Sequence, residues 1–324
     1  MVNVSLDAQL LILVSVAPQA PYPALFESGP GSTWARTVYP GVHIQTFSAL
    51  AQTRVGRQLA DVREMLRYPG ARPDQVGSVD PLSPLVKAYC RLAENGARYV
   101  AVEQTGFGQL KSRAVYRGIL GLGRLVSWWE RHLVSPRKNS RPKRVSLRDG
   151  HLWVNRPSSI SNSMAIQIDM LKYLVAGPRF RGVLFVTSSA YVDVERFFNW
   201  VKFQGDGFVV AGSNALEKRG GMGRPFLSGF AQYMSWSAVQ SIALAKDLDH
   251  STPNDVALTE WLLARGLSWV DPGIEWFTDG LDAGQCPLCE DSAISIVRCT
   301  SHGAREKEAE YMRLLDHCHV GDHI

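Results

Sequence analysis

The sequence predicts an α/β protein: a mixed central sheet flanked by helices, with a helical insertion and a C-terminal segment that carries Cys and His. Three observations lead there. Continuous apolar runs of strand length occur at Leu10–Val14 and Val183–Val186, the pattern of strands buried on both faces. Apolar residues recur with helical spacing elsewhere, as at Met164, Ile168, Leu171 and Leu174. Strand-like and helix-like stretches then alternate as far as Gly266, which argues for layered α/β architecture.

Each element follows from local chemistry. Leu10 to Ala17 reads as the first strand, ended by Pro18, Pro21 and Pro23. A loop rich in Gly, Pro and Ser runs on to Thr33, Trp34 and Arg36. Val42–Phe47 alternates as a second strand, Val55–Leu66 and Leu85–Glu94 read as helices, and Arg98–Glu103 as a strand. Asn95-Gly96 closes the second of those helices. Ser112 to Val134 has apolar residues at 115, 119, 122, 126, 129 and 133, with arginines between them. It is either a core helix with a charged outer face or a helix lying on a membrane surface. His151–Asn155 reads as a strand, Ser159–Leu174 as a helix closed by Gly177-Pro178, and Gly207–Gly212 as a strand. Asp193 sits where a helix N-cap belongs, ahead of Val194–Val201. Trp236–Leu248 and Val256–Arg265 complete the helices, the last opened by Asp255 and closed by Gly266.

Composition narrows the class. The 324 residues suffice for one large domain or two small ones, and a 45% hydrophobic fraction is that of a globular chain with a sizeable core. No apolar run approaches the roughly 20 residues of a membrane span, and Met1–Gln9 lacks the basic start of a signal peptide. A cytoplasmic location is the expectation, with association to a membrane open. The net charge of +5 owes much to Arg137, Lys138, Arg141, Lys143, Arg144 and Arg148. That run is either a solvated loop or a contact for anionic lipid or a polyanionic substrate. The five cysteines are odd in number and four follow residue 285, which does not suit a disulfide framework.

From about residue 150 to 316 the order of motifs resembles the β-1,3-glycosyltransferase family, which includes the fringe-like and β-1,3-galactosyltransferase enzymes. Ala190-Tyr-Val-Asp193 is similar to a Val-Phe-Val-Asn-like tetrapeptide that follows an acidic triplet in that family. Phe226-Leu-Ser-Gly-Phe-Ala-Gln-Tyr-Met-Ser235 is similar to its aromatic-Cys-Ser-Gly-Gly-Gly-Tyr-Val-Met-Ser segment, and Asn254-Asp-Val256 to its Glu-Asp-Val. Val297-Arg-Cys299 with Arg305–Leu314, and more distantly Leu10–Ala17 with Thr33-Trp34, also resemble family elements. The resemblance implies a GT-A (Rossmann-like) fold spanning residues 1–280, with an insertion at about 70–148 and a Cys/His segment, 281–324, packed on it.

It also implies inverting transfer of a sugar from a nucleotide sugar, UDP-linked by preference, to a saccharide or glycoconjugate. Asp255 would be the general base; local sequence alone favours instead a first-turn acid set there by the helix dipole. The donor site would comprise Thr187, Ser188, Ser189, Ser228 and Gly229. Here Thr187, Ser188 and Ser189 stand where the family has its metal-binding acidic triplet, and hydroxyls are poor ligands for Mg²⁺ or Mn²⁺. Three outcomes are open: no catalytic metal, with Lys218, Arg219 and Arg224 neutralising the diphosphate; a Mg²⁺ or Mn²⁺ anchored by Asp193; or a domain that binds without catalysis.

Cys286, Cys289, Cys299 and His302 have a C-x2-C-x9-C-x2-H spacing that suits a structural zinc site, or else are free or disulfide-bonded. His317, Cys318, His319 and His323 could add ligands, and His302 or His317 could reach the donor phosphates. The readings from other classes are an inactive nucleotide- or sugar-binding homologue and a zinc-containing nucleic-acid-binding protein. The latter rests on the basic run beside Trp128 and Trp129 and leaves the order of the 183–265 motifs unexplained, so nucleic acid is not the expected partner.

Overall fold

A computed structural model describes residues 9–17, 22–50, 144–157, 163–216, 225–250, 253–277, 288, 293–299 and 306–321. The chain divides into one unit of residues 1–51 and 143–324 and a second of 52–142. The helices and strand expected between 55 and 134, and most of the basic run, lie outside the described residues.

The first unit is mixed α/β and compatible with a Rossmann-like arrangement. Its main sheet has seven strands in the order β3-β4-β2-β1-β5-β8-β7. They are β1 (Leu10–Ser15), β2 (Val42–Leu50), β3 (Val145–Arg148), β4 (His151–Pro157), β5 (Gly182–Thr187), β7 (Val210–Leu216) and β8 (Pro225–Ser235). A second sheet, in the order β6-β10-β9, joins β6 (Ala190–Val192), β9 (Ile274–Phe277) and β10 (Ile296–Cys299). In the main sheet β4, β2, β1 and β5 run parallel, whereas β3, pairing with β4, and β8, pairing with β5, run against them. β3 lies inside the range expected for the insertion, so the sheet takes back the chain before residue 148.

Burial explains the unbroken apolar runs Leu10–Val14 of β1 and Val183–Val186 of β5. Leu11, Leu13, Val183 and Phe185 face one core, shared with helices α2 (Ser163–Val175), α4 (Trp236–Leu244) and α5 (Asn254–Leu263). Leu10, Ile12, Val14, Leu184 and Val186 face the other core. That side is covered by α3 (Val194–Phe203), α6 (Glu306–Gly321) and the small sheet. Because strand side chains alternate, a strand covered on both faces needs an unbroken apolar run. Among the described residues no helix is long and apolar enough to cross a membrane.

Several bounds differ from expectation for local reasons. β7 starts at Val210 rather than at 207. The Ser235 hydroxyl takes the Val209 N–H at 3.0 Å and donates to the Gly207 carbonyl at 2.8 Å, in place of ladder bonds. α4 ends at Leu244, with the Ala245 N–H returning to the Ile242 carbonyl. Phe226–Ser235, whose pattern Ser228, Gly229 and Gln232 interrupt, is the larger part of an eleven-residue strand. Asp193 caps α3: its carboxylate accepts the Arg196 N–H at 3.0 Å.

A buried acid holds the edge of the sheet to its helical layer. Asp169 on α2 is paired with Arg156 on β4 and with Arg144, 3.2 Å away, just ahead of β3. At the far edge, the backbone of Val270 bonds to Val210 and Gly212 and covers part of β7.

Ile12 has no exposed surface, and both of its neighbouring strands pack around it. Ile12→Ala is expected to lower the unfolding free energy by about 2–5 kcal/mol. Val38→Ala, at a site 92% exposed, is expected to change it by less than about 0.5 kcal/mol. Urea titration of both variants checks the contrast.

Candidate functional site

The parallel strands put a row of small polar residues at one edge. Ser15, the last residue of β1, is in register with Phe47 of β2 and with Thr187, the last residue of β5. β1 lies between its first partner in sequence, β2, and β5, which the chain reaches only after leaving the sheet. Such a reversal of strand order opens a crevice beyond the carboxyl ends of the strands. Ser15 is half-buried there, and sequence reading did not single it out. Its position in the strand order, invisible without the fold, is the signal that marks it.

Thr187, Ser188 and Ser189 turn the chain from β5 into β6. The Thr187 and Ser189 hydroxyls are 2.9 Å apart and hydrogen-bonded. The Ser189 carbonyl accepts the Cys299 N–H at 2.9 Å, so β10 supports the turn from behind. Trp34 is almost wholly buried, and its Nε1 donates to the Ala190 carbonyl at 3.0 Å. The Thr33-Trp34 segment is thus part of the scaffold of this turn.

Ser228 and Gly229 belong to the same edge. The β5–β8 ladder ends at Val186↔Ala231, so β8 residues before Ala231 and β5 residues after Val186 leave it together. Gly229 is a close approach. A Cβ there would lie 3.3 Å from Asn254 Oδ1 and 3.4 Å from the Asp255 Cβ. The strand therefore packs directly on the first turn of α5. That contact brings Asp255 and Gly229, two of the residues the sequence marked, side by side. Ser228 is buried one residue earlier, and the next N–H along, that of Leu227, is held by the Thr259 hydroxyl of α5 at 2.9 Å.

Asp255 is half-buried, and among the described residues it makes no ion pair. Its Oδ1 accepts the Val256 N–H at 2.9 Å. Burial raises its pKa above the ordinary 3.8, and the N–H groups of Val256 and of Asp255 itself oppose the rise without cancelling it. A carboxyl of this kind holds its proton more readily than an exposed aspartate and is a stronger base when ionised.

The other marked residues divide in two. Lys218, Arg219 and Arg224, and likewise Cys286, Cys289 and His302, lie outside the described residues. Cys299 is described: it is a buried free thiol on β10, and burial pushes its pKa up. Asp193 is committed to the start of α3. Its Oδ2 lies 3.2 Å from Arg196 Nε, and the Arg196 guanidinium also donates to the Leu288 and Ile294 carbonyls at 3.1 and 2.7 Å. Among the described residues no group of three or more His, Cys, Asp or Glu is arranged to hold a metal ion. A scan against protein-family models gives no match, and neither does a comparison with curated proteins.

A raised carboxyl pKa has a stability consequence. The folded pKa of Asp255 exceeds the unfolded one, so its contribution to stability is complete below about pH 3.8 and is lost as pH rises through the folded value. Asp255→Asn is therefore expected to be more stable than the parent at pH 7. The difference should shrink as pH falls towards 4. Thermal melts of the two proteins across pH 4–8 check it; a parent more stable at neutral pH would contradict it.

Proposed function

We propose that this chain is a GT-A-type glycosyltransferase. It would move a sugar from a nucleotide sugar, UDP-linked by preference, to a saccharide or glycoconjugate with inversion. The observation that carries the reading is the seat of Asp255. It is a partly buried carboxyl against Gly229, next to the edge where β1 and β5 present Ser15 and Thr187. The strand order supports it too: parallel β2-β1-β5 continued by antiparallel β8, with a small second sheet hung from the turn after β5.

In the proposed reaction the acceptor hydroxyl oxygen bonds to the anomeric carbon from the face opposite the diphosphate. The bond from that carbon to the diphosphate oxygen breaks, and its electron pair leaves with the nucleotide. The hydroxyl proton passes to Asp255. Thr187 and Ser189 offer hydroxyls to the donor but no carboxylate, so the reaction we propose is metal-independent. Lys218, Arg219 and Arg224 would neutralise the leaving diphosphate. The same absence of carboxylates favours a second reading, a homologue that binds the nucleotide or sugar and does not turn it over.

Titration with UDP, GDP, CDP and TDP, each with Mn²⁺ and with excess EDTA, tests the reading. UDP binding that survives EDTA is expected. Asp255→Asn should keep that binding and lose transfer by about 10²–10⁴-fold. Because the base must be ionised, the rate should fall on an acid limb that lies above the usual aspartate range. Binding without turnover in the parent would select the second reading; no binding of any nucleotide would remove both.

A further inference from the structure

The first turn of α5 is held by a buried amide cluster that no motif announced. Gln232 on β8 has no exposed surface. Its Oε1 accepts two hydrogen bonds, from Asn254 Nδ2 at 3.1 Å and from Gln167 Nε2 of α2 at 3.0 Å. The Asn254 backbone N–H in turn donates to the Ser163 hydroxyl, the first residue of α2, at 2.9 Å. One strand and two helices therefore meet on the Gln232 side chain, and its partner Asn254 is next door in sequence to Asp255. The Asn254 Oδ1 is also the atom closest to where a Gly229 Cβ would be.

The cluster is incomplete as a structural element. Gln232 Nε2 and Gln167 Oε1 are buried and have no hydrogen-bond partner among the described residues. Turning over all three amides exchanges the orphaned atoms without reducing their number. An apolar side chain at 232 would remove that desolvation penalty. What it could not supply is direction, because only an amide oxygen accepts from α2 and α5 together.

We propose that Gln232 is a positioning residue: through Asn254 it fixes the first turn of α5, and with it the Asp255 carboxyl against Gly229. The role of that carboxyl as base rests on the transferase reading; its positioning does not. Burial and two backbone N–H groups account for the Asp255 shift, with no charged side chain among the causes. A loosened turn would admit water to the carboxyl and relax its pKa downwards.

The test compares Gln232→Met with Gln167→Met, which removes the cluster's other amide but leaves Asn254 bonded. Asn254→Ala cuts the same link from the α5 side and stands in if Gln232→Met does not fold. The readout is the titration midpoint of the Asp255 carboxyl carbon, followed by NMR in the protein without substrate, beside transfer rate and UDP binding. Gln232→Met or Asn254→Ala should move the midpoint down and lower kcat about tenfold with UDP binding unchanged, and Gln167→Met should leave the midpoint in place. Equal movement in the Gln232 and Gln167 variants, or no movement in either, overturns the positioning role. A moved midpoint in a protein with no transfer activity keeps the positioning and overturns only the transferase reading.

Discussion

Coverage of β1 and β5 on both faces is the constraint on which the remaining structure depends. Each strand gives alternate residues to two separate cores, Leu11 and Leu13 to one and Leu10, Ile12 and Val14 to the other. Removing such side chains from water stabilises by about 25 cal/mol per Å² of apolar surface, and these strands do so on both faces, so their register rests on the fit of each side chain in its own core. A slip of one residue would exchange the two cores side chain for side chain. Because β1 and β5 are parallel and in register, their carboxyl ends arrive level. A row of hydroxyls at the lip of the sheet is then a direct product of burial further down.

The sequence exposed the parts of the fold that repetition in hydrophobicity encodes. The apolar runs of β1 and β5, the spacing of Met164, Ile168 and Leu171 in α2, and the capping Asp193 all act locally, so their signals are local. β8 was harder, because Gly229 and Gln232 serve the helices packed on the strand and, with Ser228, break its pattern. The site was legible to the same degree. Asp255 and Gly229 were marked by motif, yet their contact depends on how α5 lands on β8. Ser15 and Gln232 carried no signal at all, since their roles come from strand order and from partners 65 residues away, as Gln167 is from Gln232. Gln232 and Asn254 bond to each other across 22 residues of sequence. A pairing of that kind is invisible when each position is read alone.

Among the described residues the site is built mainly from neutral groups. Thr187 and Ser189 bond to each other, Gln232 gathers amides, and the acid nearest the β5 turn in sequence, Asp193, is engaged by Arg196. Asp255 is left as the buried carboxyl whose shift has no cationic cause. Its ionisation is therefore governed by hydration and by backbone N–H groups.

The sheet also hands the chain out and takes it back within a short span. β2 ends at Leu50, beside Pro157 of β4, and β3 opens at Val145, beside Val154 of the same strand. Only β4 separates the exit from the re-entry. Bridging two ends that close with the 94 residues from 51 to 144 costs only about 3 kcal/mol more in closure entropy than a short turn would. The length and content of what lies between Leu50 and Val145 are thus decoupled from the register of the strands on either side. On loop-closure entropy alone, segments of very different length between Leu50 and Val145 are compatible with the same pairing of β2, β3 and β4.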